Sequence, residues 1–429
     1  MRHESRTSAH SLRAIPCMSL SLLLLPYLCG CASAYERLSR TGGRPEFSTR
    51  YDPGPGAHRT TVLVPGPGHR PEARLAVTEA GDGRAERVLV FVHGVMSDAR
   101  FWRFLGPKLA PDHDLIMIDL PGSGGSDAPD PRRVGDAAYA PPALAAAALE
   151  ALRQRLAARS GPPPRVTLVG HSLGAHVILR MFSEPKLRDA YGDVLERVDG
   201  MVLFSCMDVA IEKDQPTFAV VRDTPEWAWS VAAVSGLLRG KAADATLEGV
   251  ADRRRALRCE AKRLNEILAD PARRRAAQAM IRAAVPTRNR RPDWRRIRVI
   301  EAGYARVDVP CLLVWGGRDD VLPESMGHKL RDQLPSARLC VIEDAMHSIP
   351  VEHPAAAAAL IRQFAANGPE DTAAASVTYR SAAEVSAPRG IRGVSPTDQP
   401  LSGLSVTRVE PTRPTGPAAL DGGMPRFER

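Results

Sequence analysis

Apolar residues along this chain gather in short blocks rather than in long alternating stretches. Val88 to Val92, Leu115 to Ile118, Val166 to Val169, Met201 to Phe204, Cys311 to Trp315 and Leu339 to Ile342 are such blocks, rich in β-branched and bulky aliphatic residues. Apolar runs of this length with little polar alternation suit strands covered on both faces, as in a parallel sheet. Helix-forming stretches lie between them. Pro142 to Ala158 opens on proline and continues in Ala, Leu, Glu, Arg and Gln, and His176 to Phe182 has helical character too. Strand and helix signals alternate from about Arg74 to Ala366, which predicts an α/β core built on a mostly parallel, doubly wound sheet.

One interval breaks the rhythm. Between Phe204 and Cys311 lie about a hundred residues that are helix-prone, Arg-rich and without a clear strand. A crossover between parallel strands does not need that length. The pattern predicts a helical cap over residues 208–306, inserted after the strand ending near Phe204 and dividing the core into residues 74–207 and 307–366. Trp227, Trp229, Trp294 and the mostly apolar Val231 to Leu238 fall in this cap, where such residues either line a pocket for an acyl or aromatic group or, at least as often, only pack the cap onto its core, so no site role is assigned to them. Ahead of the core, residues 31–73 read as a linker, with Pro-Gly-Pro-Gly at Pro53 to Gly56 and again at Pro65 to Gly68 around the β-prone Thr60 to Val64. Behind it, residues 367–429 turn to Pro, Gly, Ser, Thr and Ala with almost no aromatic residues and are expected to be disordered.

Composition refines this picture at two places. With 429 residues and 44% apolar content the chain can build one large catalytic domain with extensions. Its formal charge of +9 is concentrated, because Arg253 to Arg298 holds 16 basic and no more than five acidic residues. Solvated helix faces account for such arginines, and an anionic lipid or an acidic substrate is the alternative use. No zinc-finger spacing, RNA-binding signature or recognition-helix pattern accompanies them, so nucleic acid is not an expected partner.

The second place is the N-terminus. Arg2, Arg6 and Arg13 precede an apolar run from Met18 to Leu28 that is too short to span a bilayer, so residues 1–30 read as an export signal. Leu28-Cys29-Gly30-Cys31 resembles the bacterial lipobox and makes Cys31 a lipidation site, which predicts a lipid-anchored protein of the cell envelope. Cleavage after Ala32-Ser33-Ala34 is the competing route and would release a soluble protein beginning at Tyr35. Either route leaves Cys206, Cys259, Cys311 and Cys340, with neither disulfide-framework nor metal spacing, as structural thiols.

The chemistry concentrates in Gly170-His171-Ser172-Leu173-Gly174, set after one apolar block and before a helical run. At a strand-to-helix turn the serine adopts a strained backbone conformation that exposes its hydroxyl, and Gly170 and Gly174 leave room for strand and helix to approach. A serine hydroxyl needs a base, and the base needs an acid to fix its tautomer. Asp319 in Trp315-Gly316-Gly317-Arg318-Asp319 and His347 both follow apolar blocks, so both fall at strand ends on the sheet's carboxyl edge. Asp320 and Asp208 are alternative acids, and His353 a rival base.

Together these motifs resemble the α/β-hydrolase superfamily over roughly Arg74 to Ala366. Phe91-Val92-His93-Gly94 looks like the family's oxyanion strand end. Asp119 to Asp127 resembles its next loop, and Glu352 and Pro354 stand at its usual offsets after His347. The resemblance implies Ser172 as nucleophile, His347 as general base and Asp319 as the orienting acid. It implies an oxyanion hole from the backbone N–H groups of Val95 and Leu173, with His93 a structural residue, and neither metal nor cofactor. A carboxylic ester or related small acyl compound is the expected substrate. Carbon-carbon bond hydrolysis, cofactor-free haloperoxidase chemistry and a non-catalytic envelope binding protein are the alternatives. A serine at the nucleophile position argues against dehalogenase and epoxide-hydrolase chemistry, which in this superfamily uses an aspartate there.

Overall fold

A computed structural model describes residues 54, 56–66, 70–235, 263, 266–374 and 406–410. The export signal, Cys31 and Cys259 lie outside them.

The apolar blocks form the strands expected. They are β3 (Arg87–Val92), β4 (Asp114–Ile118), β5 (Arg165–His171), β6 (Val198–Phe204), β9 (Cys311–Gly316) and β10 (Ala337–Ile342), all mutually parallel. Among the described residues they belong to a nine-stranded sheet of order β1-β2-β4-β3-β5-β6-β9-β10-β11, in which β1 is His58–Gly66, β2 Arg70–Ala80 and β11 Val406–Glu410. Alternation is present but hidden, because each face meets apolar cover. Val88, Val90 and Val92 pack with Leu144, Ala148 and Leu152 on one face, whereas Leu89 and Phe91 pack with Trp102, Leu105, Ile361 and Phe364 on the other. The first cover includes α1 (Pro141–Ala157), α2 (Leu173–Ser183), α3 (Pro185–Leu195) and α8 (Glu324–Gln333), and the second includes α9 (Pro354–Ala374). Helices on both faces make the sheet doubly wound, as in the α/β-hydrolase fold. Cys206, Cys311 and Cys340 are buried in these layers as free thiols.

Both flanks of the core correct the sequence reading. Residues expected as linker form β1 (His58–Gly66) and the start of β2 (Arg70–Ala80), paired antiparallel to each other, with β2 antiparallel to β4. Turn chemistry at the two Pro-Gly-Pro-Gly segments outweighed the β-prone run between them in that reading. Arg59 on β1 donates to Asp119 at 2.6 Å, so this strand also holds the loop after β4. In the stretch expected to be disordered, α9 continues to Ala374 and β11 (Val406–Glu410) pairs antiparallel with β10, giving that edge a backbone partner.

The cap is helical as expected. Its described elements include α4 (Thr217–Asp223), α5 (Glu226–Ser235), α6 (Pro271–Ala284) and α7 (Trp294–Gly303). It also contains a hairpin, β7 (Thr287–Arg288) and β8 (Arg291–Pro292), too short to leave a strand signal in the sequence. Trp229 is buried, Trp294 half-buried and Trp227 71% exposed, so only part of this aromatic set serves cap packing. Among the described residues no helix is long and apolar enough to cross a membrane.

Candidate active site

Parallel strands bring their carboxyl ends to one edge, and the candidate groups follow from that. The chain runs from β3 to β4 on one side, then returns across β3 to place β5 on the other. The crevice beside β3 and β5 is the switch point where such sheets hold ligands. Ser172 stands at the end of β5 with φ 53 and ψ −121, a conformation that L residues rarely adopt and that the surroundings must enforce. They do so through backbone contact. A Cβ on Gly174 would lie 2.3 Å from the carbonyl oxygens of Val92 and His93, and one on Gly170 would lie 2.6 Å from Ala175 Cα. Both elbow glycines are therefore fixed by close approach.

The loop after β3 reaches the same place. A Cβ on Gly94 would meet Ser172 Cβ and His171 Nδ1 at 3.1 Å, which puts the 93–95 backbone against the serine. The N–H of Leu173 opens α2 and has no acceptor in the helix. Neither it nor the N–H of Val95 donates to any group among the described residues. His93 is bonded on both ring nitrogens: Nδ1 donates to the Gly94 carbonyl at 2.7 Å, and Nε2 accepts from Leu120 N–H at 3.1 Å. Burial lowers its pKa, so it stays neutral and ties two loops together.

Across the crevice, His347 Nδ1 meets Asp319 Oδ2 at 2.9 Å. The other oxygen of Asp319 accepts from the N–H groups of Val321 at 3.0 Å and Leu322 at 2.8 Å. Burial works against the charge of Asp319, but the histidine and these donors hold its pKa below the usual value. Burial likewise opposes protonation of His347, yet the charge and hydrogen bond of Asp319, with Glu352 behind, raise its pKa. No hydrogen bond joins Ser172 Oγ to His347 Nε2 in the structure, a contact that in free enzymes often tightens only with substrate. The neighbour of Ser172 makes the link instead, through its ring. His171 Nε2 donates to the His347 carbonyl at 2.9 Å, with the rings 4.8 Å apart. Burial, then the charge of His347, lowers His171 to about 3, so it is a neutral spacer, stacked on Phe101 at 4.5 Å.

The rivals are placed elsewhere. Asp208 is buried against Lys329, Asp320 is exposed, and His353 is buried with Nε2 lacking a partner. Two residues matter more than the sequence suggested. Glu352, fully buried, accepts from Met346 N–H at 2.6 Å and Ser348 N–H at 2.7 Å, gripping His347 on both sides. A carboxylate inside Ile349-Pro350-Val351-Glu352 was its signal, since buried acids need partners. Arg263 of the cap donates to the Met96 carbonyl at 2.9 Å, beside the loop holding Val95, and left no such mark among its neighbouring arginines.

A strained serine turn at one strand end and a hydrogen-bonded histidine–acid pair after two later strands of the same sheet are the features of an α/β-type hydrolase. The chain belongs to the alpha/beta hydrolase family, which its residues 89–360 match. An uncharacterized protein of Mycobacterium tuberculosis is 26% identical over 299 residues, covering 68% of this chain and 78% of that protein. A pimeloyl-[acyl-carrier protein] methyl ester esterase of Neisseria meningitidis is 44% identical over 63 residues, 15% of this chain and 24% of the esterase. Among solved structures, a point mutant of a proposed epoxide hydrolase from Pseudomonas aeruginosa superposes with TM-score 0.54 at 20% identity, covering 74% of this chain and 98% of its own. That likeness concerns the fold.

Proposed function

We propose that the protein is a serine hydrolase that cleaves a carboxylic ester, or a related acyl compound, through an acyl-enzyme. Ser172 Oγ attacks the carbonyl carbon while His347 Nε2 takes its proton. Asp319 holds Nδ1–H and offsets the charge that the imidazolium gains. The oxyanion of the tetrahedral intermediate lies between the N–H groups of Val95 and Leu173. His347 then gives the proton to the departing alcohol and activates a water to release the acid.

The observation that carries this reading is the 2.9 Å pair of His347 Nδ1 and Asp319 Oδ2, opposite a serine held at φ 53. Backbone donors of this kind, set where charge develops, are typically worth ~100 to 1000-fold in rate each. The short match to a methyl ester esterase favours esters over carbon-carbon bonds. Export and a lipid anchor at Cys31 complete the proposal, resting on the apolar run and Leu28-Cys29-Gly30-Cys31 alone.

The test is hydrolysis of nitrophenyl esters from acetate to palmitate by the purified protein and by Ser172→Ala. The variant should lose ~10⁴-fold or more in kcat and fail to take a fluorophosphonate label. Equal rates in the two proteins would remove the serine mechanism.

A further inference from the structure

A cavity of about 720 Å³ lies between core and cap. Its wall includes Pro141 at the start of α1, Arg180 on α2, the turn between α4 and α5, and the segment from α6 through the hairpin into α7. Ser172, Asp319 and His347 are not part of that wall, and Arg180 stands about 12 Å from Ser172 along the helix axis.

Its charges do not balance. Five arginines, Arg180, Arg222, Arg282, Arg290 and Arg296, are among its lining residues, against three acidic ones, Asp136, Asp223 and Glu226. Arg282 forks onto Asp136 at 2.7 and 2.8 Å, and Arg222 binds Asp223 at 3.1 and 3.2 Å as well as Glu212. Glu226 lies 3.6 Å from Arg275, outside the cavity wall. Arg180 pairs with Glu184 from outside the wall, Arg290 lies near the Asp223 that Arg222 already holds, and Arg296 forms no ion pair with a carboxylate among the described residues. Arg290 and Arg296 are exposed and have no side-chain hydrogen-bond partner among the described residues.

Arg180 is only 4% exposed, and although it pairs with Glu184, its Nε–H is buried without an acceptor. A buried donor left unmatched disfavours the fold, because its lost hydration is not replaced. Arg296 adds like charge beside it. The hairpin adds a second cost of the same kind, because Asn289 and Arg290 form its two-residue loop with φ 53 and φ 61. Such loops favour glycine, asparagine or aspartate, so Arg290 holds a strained backbone at the cavity wall.

We propose that this cavity binds a phosphate-bearing organic anion through Arg180, Arg290 and Arg296, apart from the ester-cleaving centre. Guanidinium forks match phosphate oxygens, the volume is in the range of small-molecule sites, and Val285 and Ile300 give the organic part an apolar wall. A soluble phosphate ester and a phospholipid headgroup share this chemistry.

The experiment is calorimetric titration of the full chain carrying Ser172→Ala, so that binding is read without turnover. Glycerol 3-phosphate is one probe, and vesicles of phosphatidylglycerol, against phosphatidylcholine, are the other. One-site binding that weakens at least about tenfold in the Arg290→Gln, Arg296→Gln double variant supports the site. Arg288→Gln with Arg291→Gln removes the same charge from the same hairpin, at positions off the cavity wall, and should leave binding in place. Saturation by glycerol 3-phosphate assigns a soluble ligand, and saturation by phosphatidylglycerol vesicles alone assigns a headgroup. No saturable binding of either probe, or equal weakening by both double variants, overturns the proposal.

Discussion

At the residue scale, the proposed reaction turns on His347 being neutral, and its partners set when it is. Asp319 and Glu352 raise its pKa above 6.5 despite burial. The base is then lost as pH falls through that raised value, so kcat/KM should decline on an acidic limb lying above pH 6.5. Asp319→Asn removes the charge, so the limb should move to lower pH while the plateau rate drops about 10⁴-fold. A pH profile of kcat/KM in both proteins checks this, and an unmoved limb would mean that another acid partners His347. Glu352 makes a different prediction. Burial pushes its pKa from 4.5 up to about 8, with the Met346 and Ser348 donors pulling the other way. A folded-state pKa raised in this way gives stability that is fully present below pH 4.5 and lost as pH rises through about 8. Glu352→Gln should flatten that loss, measured as urea midpoints at intervals across the window. It should also lower stability by ~1–3 kcal/mol at its acidic end, because an amide sets its NH₂ against one of the two donors. The places of Ser172, Asp319 and His347 after strands were legible because each is small or polar and follows an apolar block. For Glu352 the sequence signalled only an acid in an apolar run; the backbone N–H groups of Met346 and Ser348 that it grips were not legible.

At the scale of elements, the sheet was readable where both faces are covered and unreadable where one is not. β3, β4, β5, β6, β9 and β10 are continuous apolar runs because the helices on either side, α1, α2 and α9 among them, leave no face for polar residues. β1 is an edge strand that opens on His58-Arg59-Thr60-Thr61, so its apolar run is only Val62 to Val64 and the flanking Pro-Gly segments dominate. The cap was visible as an interval too long for a crossover, but its hairpin was not, having two residues per strand. The packing of α2 against β3 offers the sharpest test at this scale. Gly174→Ala places a methyl 2.3 Å from two carbonyl oxygens, so helix and strand must part. Overpacking of this sort destabilises by ~1–3 kcal/mol. Since Ser172, Leu173 and the 93–95 loop meet at this contact, kcat should fall further than the urea midpoint implies. Stability and kcat measured on one preparation would show it, and a stable variant with unchanged kcat would mean that the serine turn does not depend on the contact.

For the whole molecule, the question is what would hold it at a membrane, and two features compete. One is the proposed anchor at Cys31. The other is the cap, whose Arg253 to Arg298 segment carries the positive excess of the chain. Their physics differ. A single acyl chain binds a bilayer only marginally, whereas the several chains of a processed bacterial lipoprotein bind firmly and are indifferent to salt. Attraction between arginines and anionic lipid is screened within about 10 Å at 0.1 M salt and weakens as salt rises. Cys31→Ala should therefore leave an exported protein that takes up no labelled palmitate, moves from the membrane to the soluble fraction, and hydrolyses soluble esters at the unaltered rate. Washing membranes in high salt should not release the parent protein. Release by salt, or a Cys31→Ala protein still in the membrane fraction, would transfer the attachment from the lipid to the arginine face. Export without palmitate uptake by the parent protein would instead favour cleavage after Ala34 and a soluble enzyme.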